Sequence, residues 1–211
     1  DVVVPGGVRA DIDAAAADAL RACVAQVASE VRELRDIYDE HAGVRDRFTG
    51  AGVLTPSLAM RLGVVGLAGR ASGQAFDLRV DLPCPPYDEI RPAKVCRSEG
   101  DVAARVAVRF DEVMESCRLV ARLLARLPEG EYRTVVPAPP AGVAVGLIES
   151  WRGPVLVGLE AGPGGTIRRC HPHDPSWQNW PALEHAIMDN IVPDFPLINK
   201  SFNLSYSGHD L

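Results

Sequence analysis

At 211 residues the chain can hold one domain with a substantial core, and 47% apolar with 24% charged residues is ordinary for a globular protein. A net charge of −6 with no basic run excludes a nucleic-acid binder of the usual electrostatic kind. The longest uncharged run, residues 134–148, contains Pro137, Pro139 and Pro140 and falls short of the roughly 20 residues a membrane helix needs. Neither a span nor a signal peptide is therefore expected.

The chain opens on Asp1, not Met, directly into Val2, Val3 and Val4, which reads as a piece excised from a longer polypeptide. Pro5-Gly6-Gly7-Val8 is a turn whose adjacent glycines permit positive φ or close backbone approach. Asp11 or Asp13 then caps a helix over residues 14 to about 41. Its apolar stripe is Leu20, Cys23, Val24, Val27, Val31, Leu34 and Ile37, and Gly43 ends it. Thr55-Pro56-Ser57 reads as N-cap and first turn of a short helix that stops at Gly63.

Gly69-Arg70-Ala71-Ser72-Gly73 is a tight loop that places a guanidinium, and Asp77 can pair with Arg79. A purely structural loop accounts for it as well. It is no phosphate loop, because both the G-K-[ST] ending and the G-x-G-x-x-G spacing are missing. After a proline-rich passage, Gly100-Asp101 starts the longest helix. Val106, Phe110, Val113, Cys117, Val120, Leu124 and Leu127 form its stripe, and Pro128 closes it. Arg105 and Arg109 line one face of this helix, either as solvated surface or as a docking face for an acidic partner.

Residues 132–148 read as irregular. Residues 155–159 and 166–170 form a small hairpin around Gly162-Pro163-Gly164-Gly165. His171 and His173 beside Asp174 are weak metal candidates, since a third ligand would have to come from His185 or His209 through the fold. Pro181 is expected to start a helix to about Ile191. The Pro-, Trp- and Asn-rich stretch 171–211 ends on an uncharged Leu211 and reads as a buried tail. The five cysteines, Cys23, Cys84, Cys96, Cys117 and Cys170, are odd in number and lack C-x-x-C spacing. They are expected as reduced core thiols in a cytoplasmic protein.

Several phrases, in order, resemble one superfamily: the large subunits of nickel–iron hydrogenases, above all the membrane-bound energy-converting type, and the quinone-site large subunit of respiratory complex I, an NADH:quinone oxidoreductase. They are P-G-G-V before a long helix, Arg70-Ala71-Ser72-Gly73 with Asp77 and Arg79, Gly100-Asp101-Val102-Ala103-Ala104-Arg105, and Pro175-Ser176-Trp177-Gln178-Asn179. Glu149-Ser150-Trp151-Arg152-Gly153 resembles E-x-P-R-G, with Trp151 in the proline's place. The hydrogenase chain end reads roughly S-[IF]-D-P-C-x-x-C-T-D-R. Here Ser201, Phe202 and Asn203 take its first places, Ser205 falls at the first cysteine and Gly208 at the second.

The resemblance implies a mostly helical α+β body, a long-helix bundle with a small hairpin, making up a single C-terminal domain of a larger subunit. It implies an oxidoreductase assembly in which a small partner subunit carries an iron–sulfur cluster and a quinone is a possible acceptor. The chain itself would bind no cofactor. It would sit on the cytoplasmic side, at the inner face of the cell membrane through its partners. Arg152 would line the cavity, with Arg70, Asp77, Asn203 and Ser205 as further lining candidates. Nickel needs soft thiolates, whereas Ser205 offers a hard oxygen and Gly208 nothing, so no nickel–iron centre is expected through the tail. The quinone-site His and Tyr of complex I and the first hydrogenase cysteine pair lie before P-G-G-V, outside this chain. A non-catalytic paralogue that scaffolds a membrane-associated complex is the alternative. An independent small-molecule enzyme is disfavoured, because no nucleophile–base pair emerges.

Overall fold

Helices begin where short polar side chains can satisfy free N–H groups. In the computed structural model, which describes residues 2–209, Asp13 accepts from the Ala16 amide at 2.7 Å and opens α1 (Ala14–Glu40). Before it, β1 (Val3–Val4) and β2 (Gly7–Val8) form a miniature hairpin. The hairpin is pinned to the segment after the second long helix, with the Thr134 amide donating to Gly6 O and the Val8 amide to Tyr132 O. A Cβ on Gly6 would lie 2.1 Å from Thr134 O, so glycine is required for this approach.

α1 does not run into Gly43. It stops at Glu40, and His41, whose Nδ1 accepts from the Val44 amide, caps a separate α2 (Ala42–Phe48). α3 (Pro56–Leu62) has the predicted Thr55 cap and the predicted stop, with Gly63 in the left-handed region at φ 64°. Short turns follow: α4 (Gly66–Arg70), α5 (Leu78–Asp81) and α6 (Tyr87–Ile90). Asp101 caps α7 (Val102–Leu124) through the Ala104 amide at 2.7 Å and also ties down the Gly50 amide at 2.8 Å.

α1 and α7 lie antiparallel. Arg21 reaches the Leu124 carbonyl at the far end of α7, Arg35 pairs with Asp111 at 2.6 Å, and Tyr38 meets Phe110. The stripe predicted on α1 is only partly covered, since Leu34 and Ile37 are 56% and 55% exposed while Ala17 and Ala28 are buried. The main core lies on the other side of α7. There Leu54, Ala59, Val64 and Val102 meet Ala182, Leu183, Ile198 and Phe202, and each fully buried Leu, Ile or Phe contributes about 1.5–3 kcal/mol.

Residues 132–148, expected to be irregular, contain most of a full strand. β3 (Gly142–Ser150), β4 (Gly153–Ala161) and β5 (Ile167–His173) form a three-stranded antiparallel sheet with β4 in the centre, so the predicted hairpin is only part of it. The prolines all precede Gly142 and leave the strand free to pair. The next helix also starts earlier than Pro181. α8 (Ser176–Ala186) begins where Asp174 takes the Ser176 amide at 2.8 Å, and Pro181 sits inside it. α9 (Phe195–Phe202) ends on Asn203, in the left-handed region at φ 53°.

The tail expected to be buried is covered only in part: Ser201, Phe202, Leu204 and Gly208 are buried, whereas Met188, Ile191, Val192 and Tyr206 are 65%, 63%, 88% and 69% exposed. Asp1, Asp210 and Leu211 lie outside the described residues. The cysteines correct the sequence reading. Cys23, Cys84, Cys96 and Cys170 are exposed and Cys117 is half-buried, so none is a core thiol.

Candidate functional site

The tight turn between β3 and β4 organises the site. Ser150 pairs with Gly153, leaving Trp151 and Arg152 at the tip. The tip cannot shift, because Gly66 at φ +63° runs directly beneath it and a Cβ there would lie 1.9 Å from Arg152 O. Glu149 enters the turn on one side and Arg152 leaves on the other, so this one turn joins two charged clusters.

The first cluster is buried and ionic. Arg70, 1% exposed, donates from Nε to Glu112 at 2.5 Å and from Nη1 to Glu149 at 3.0 Å and to Phe76 O at 3.2 Å. Glu149 also accepts the Leu78 amide at 3.1 Å. Asp77 accepts from Arg79 at 3.0 and 2.7 Å, the predicted pair. Burial pushes Glu149 above the usual glutamate range, with Asp77 adding to it and Arg70 and the Leu78 amide opposing. Burial works the same way on Asp77, but the hydrogen bonds and charge of Arg79, helped by Arg70, bring it below its ordinary value. Arg70 and Asp77 thus belong together, but they are sealed within the fold.

The second cluster holds the tail. Arg105 is not the docking residue the sequence suggested. It is completely buried, donating to Ser201 Oγ at 2.8 Å, Gly100 O at 2.7 Å and Gly52 O at 2.9 Å, with its guanidinium 4.3 Å from the Phe202 ring centre. The outward-facing expectation fails because oxygens from two remote segments, Gly52 O and Ser201 Oγ, converge on it together with Gly100 O just before the helix. Arg109, half-buried, donates to Ser201 O at 2.6 Å and to Arg105 O at 3.3 Å. Arg152 donates to Asn203 O at 2.6 Å. Arg109 and Arg152 both lie near Trp151, 5.7 and 5.4 Å from its ring centre. Burial lowers the pKa of Arg105 to about 9, with Asp101 opposing and Arg109 adding; burial lowers that of Arg109 as well. Arg105 and Arg109 remain cationic at neutral pH.

An open cleft of about 440 Å³ lies over this cluster, lined by Phe48, Val106, Arg109, Trp151, Leu197 and Lys200 among others. A narrower recess shares Arg109, Trp151 and Asn203 with the cleft and adds Arg152. Asn179, 1% exposed, closes its floor by exchanging hydrogen bonds with Val65 N and O at 3.0 and 3.2 Å.

Ser205 lies past the recess. Its Oγ accepts the Gly208 amide at 3.0 Å, and its own amide donates to Ser176 Oγ at 2.9 Å. At Gly208 a Cβ would come within 2.7 Å of the Asp174 carboxyl carbon. The histidines do not assemble around an ion site. His173 packs edge-on to Trp177 and His209 packs against Trp177 and Trp180, while His171 and His185 are exposed. Among the described residues no three His, Cys, Asp or Glu side chains converge. Sequence reasoning named Arg70 and Arg152 but missed Glu112, Glu149 and Trp151 as their partners. For Glu149 and Trp151 the signal was available, since both stand in the motif around Arg152.

This arrangement is that of a large subunit of the hydrogenase and complex I superfamily. The chain belongs to the family described as the respiratory-chain NADH dehydrogenase 49 Kd subunit, which matches residues 1–138. It is 33% identical over 203 residues to an NADH-quinone oxidoreductase subunit from Syntrophobacter fumaroxidans, covering 94% of this chain and 54% of that one. It is 30% identical over 200 residues to the carbon monoxide-induced hydrogenase of Rhodospirillum rubrum, covering 94% and 55%. The chain therefore spans about half the length of these relatives. Its fold is similar to a chain in the structure of the membrane-bound sulfane sulfur reductase, an archaeal respiratory membrane complex. The TM-score is 0.91 at 27% identity, covering 99% of this chain and 59% of that one. Among the described residues no helix is long and apolar enough to cross a membrane.

Proposed function

We propose that the chain is part of a subunit of a complex I-like or energy-converting hydrogenase-like electron-transfer assembly. It forms a single domain that walls the acceptor cavity beside a small iron–sulfur subunit and holds no nickel–iron centre in its tail. Membership of the family, whose named relatives include a quinone oxidoreductase subunit and a hydrogenase, supports the assembly. The cleft beside Trp151 and Arg109 supports the cavity. The electrons would come from the partner's cluster, and a quinone is the acceptor considered first. The chain would sit on the cytoplasmic side of the membrane, attached through its partners.

The tail residues do not fit nickel. Ser205 Oγ is a hard oxygen already occupied by the Gly208 amide, and the space beside Gly208 is filled by Asp174. This misfit supports the reading over that of an active hydrogenase, and no step is routed through a metal. It also favours the second reading, a non-catalytic scaffold of the same complex. Affinity purification of the full-length protein from its native membrane distinguishes the two. Co-purification of an iron–sulfur subunit with quinone reductase activity supports the cavity reading, whereas an intact complex without that activity supports the scaffold. Stoichiometric nickel in the purified subunit overturns both.

A further inference from the structure

We infer that the cleft beside Trp151 takes an anionic ligand, a carboxylate on a flat body, whose charge is received by Arg109 and Lys200 on the cleft wall and by Arg152 from the adjoining recess. In a chain of net charge −6, the residues lining this cleft and its recess include Arg109, Arg152 and Lys200 and not one carboxylate. Among the described residues Arg105, Arg109 and Arg152 form no ion pair, although most other arginines near the two long helices do. The acids within electrostatic reach are committed elsewhere. Asp101 caps α7 and holds Gly50, and Glu112 is bound by Arg70.

Main-chain carbonyls satisfy part of the hydrogen-bonding capacity of these guanidiniums but none of their charge. Desolvated cations gain most from a carboxylate, with charge-assisted hydrogen bonds about twice as strong as neutral ones. Arg152 has donors to give. Only its Nε is bonded, to Asn203 O, so its terminal amino groups are free among the described residues. Trp151, half exposed, has both guanidiniums over its ring, and together with Phe48, Val106 and Leu197 it supplies apolar walls for a flat body.

This inference goes beyond the proposed function, since a carboxylate is a different ligand from the quinone considered there, and it rests on that reading only for the cleft's role in the complex. The test is titration of the full-length protein with benzoate, with benzamide as the neutral isostere and acetate as the anion without a flat body, followed by calorimetry and tryptophan fluorescence. Benzoate is expected to bind at least tenfold more tightly than either control and to quench fluorescence in the wild type but not in Trp151→Phe. Arg152→Gln is expected to weaken it at least tenfold, with Arg152→Lys recovering part of the loss. Equal binding of benzoate and benzamide by the wild type overturns the inference without recourse to any variant. So does an unchanged affinity in a folded Arg152→Gln protein. Quinone reduction by the complex is a separate readout, so failure of this inference and failure of the proposed function are distinguishable.

Discussion

Replacing Arg70 with Met isolates the buried ionic cluster. The Arg70 side chain is 1% exposed and Glu149 2%, so Met fills most of the volume while removing the charge. Glu149 then keeps the Leu78 amide as its donor, with Asp77 still nearby. Removing one member of a buried pair costs about 3–5 kcal/mol, because the remaining charge is left without compensation. At roughly 1.4 kcal/mol per tenfold, that is about two to four decades in the folding equilibrium. Glu149→Gln alone should cost less, about 1–3 kcal/mol, since Arg70 retains Glu112 and Phe76 O.

The sign of the pH dependence follows from Glu149. Its folded pKa is raised, so the stability it confers is complete below the ordinary glutamate value and is lost as pH rises through the raised one. Arg70→Met removes the attraction that limits the rise, so its penalty should be largest at pH 7 and shrink toward pH 5. In the double variant with Glu149→Gln the total should fall below the sum of the singles by about 1–3 kcal/mol, and the share of the pH dependence carried by Glu149 should disappear, leaving that of Glu112. Urea unfolding followed by far-UV circular dichroism at both pH values measures all four proteins. An Arg70→Met penalty under about 1 kcal/mol, or one independent of pH, refutes the assignment of Glu149 as the stranded charge.

Gly66→Ala should destabilise by about 3 kcal/mol, through a positive φ combined with a Cβ 1.9 Å from Arg152 O. For a chain of this size that corresponds to a fall of roughly 6–12 °C in Tm by calorimetry, and an unchanged Tm would show that the turn has room to move. Asn179→Ala strands both Val65 groups and should cost about 2–4 kcal/mol in urea unfolding, with α8 losing its tie to the recess floor. Ellman's reagent on the native protein should titrate Cys23, Cys84, Cys96 and Cys170 rapidly, with Cys117 following slowly or on unfolding. Fewer than four fast thiols would place one of these positions at a covered surface.

The helix starts were legible because capping is local: Asp13, Thr55 and Asp101 each sit three residues before the amide they bond. The start of α8 was equally local in Asp174-Pro175, but Pro181 competed for the same role and misled. β3 was hidden because its nine residues follow a proline-rich lead-in and pair only with a neighbour defined later in the chain. Arg105 was misread for a different reason. A charged residue on a helix is expected to face water, and nothing near it in sequence announces that Gly52 and Ser201 arrive from 53 and 96 residues away. The family motifs located Arg70, Asp77 and Arg152. Their division into a sealed cluster and an open one depends on which side of the Ser150–Gly153 turn each falls, and only the folded chain sets that.

Arg109 and Arg152 grip the end of the chain by the carbonyls of Ser201 and Asn203, not by any side chain there. A backbone carbonyl is common to every amino acid. Position 203 is restricted by its left-handed backbone, which favours Asn or Gly, but the clasp itself uses neither the side chain at 203 nor the hydroxyl at 205. This part of the anchor is independent of which side chains the tail carries at 203 and 205.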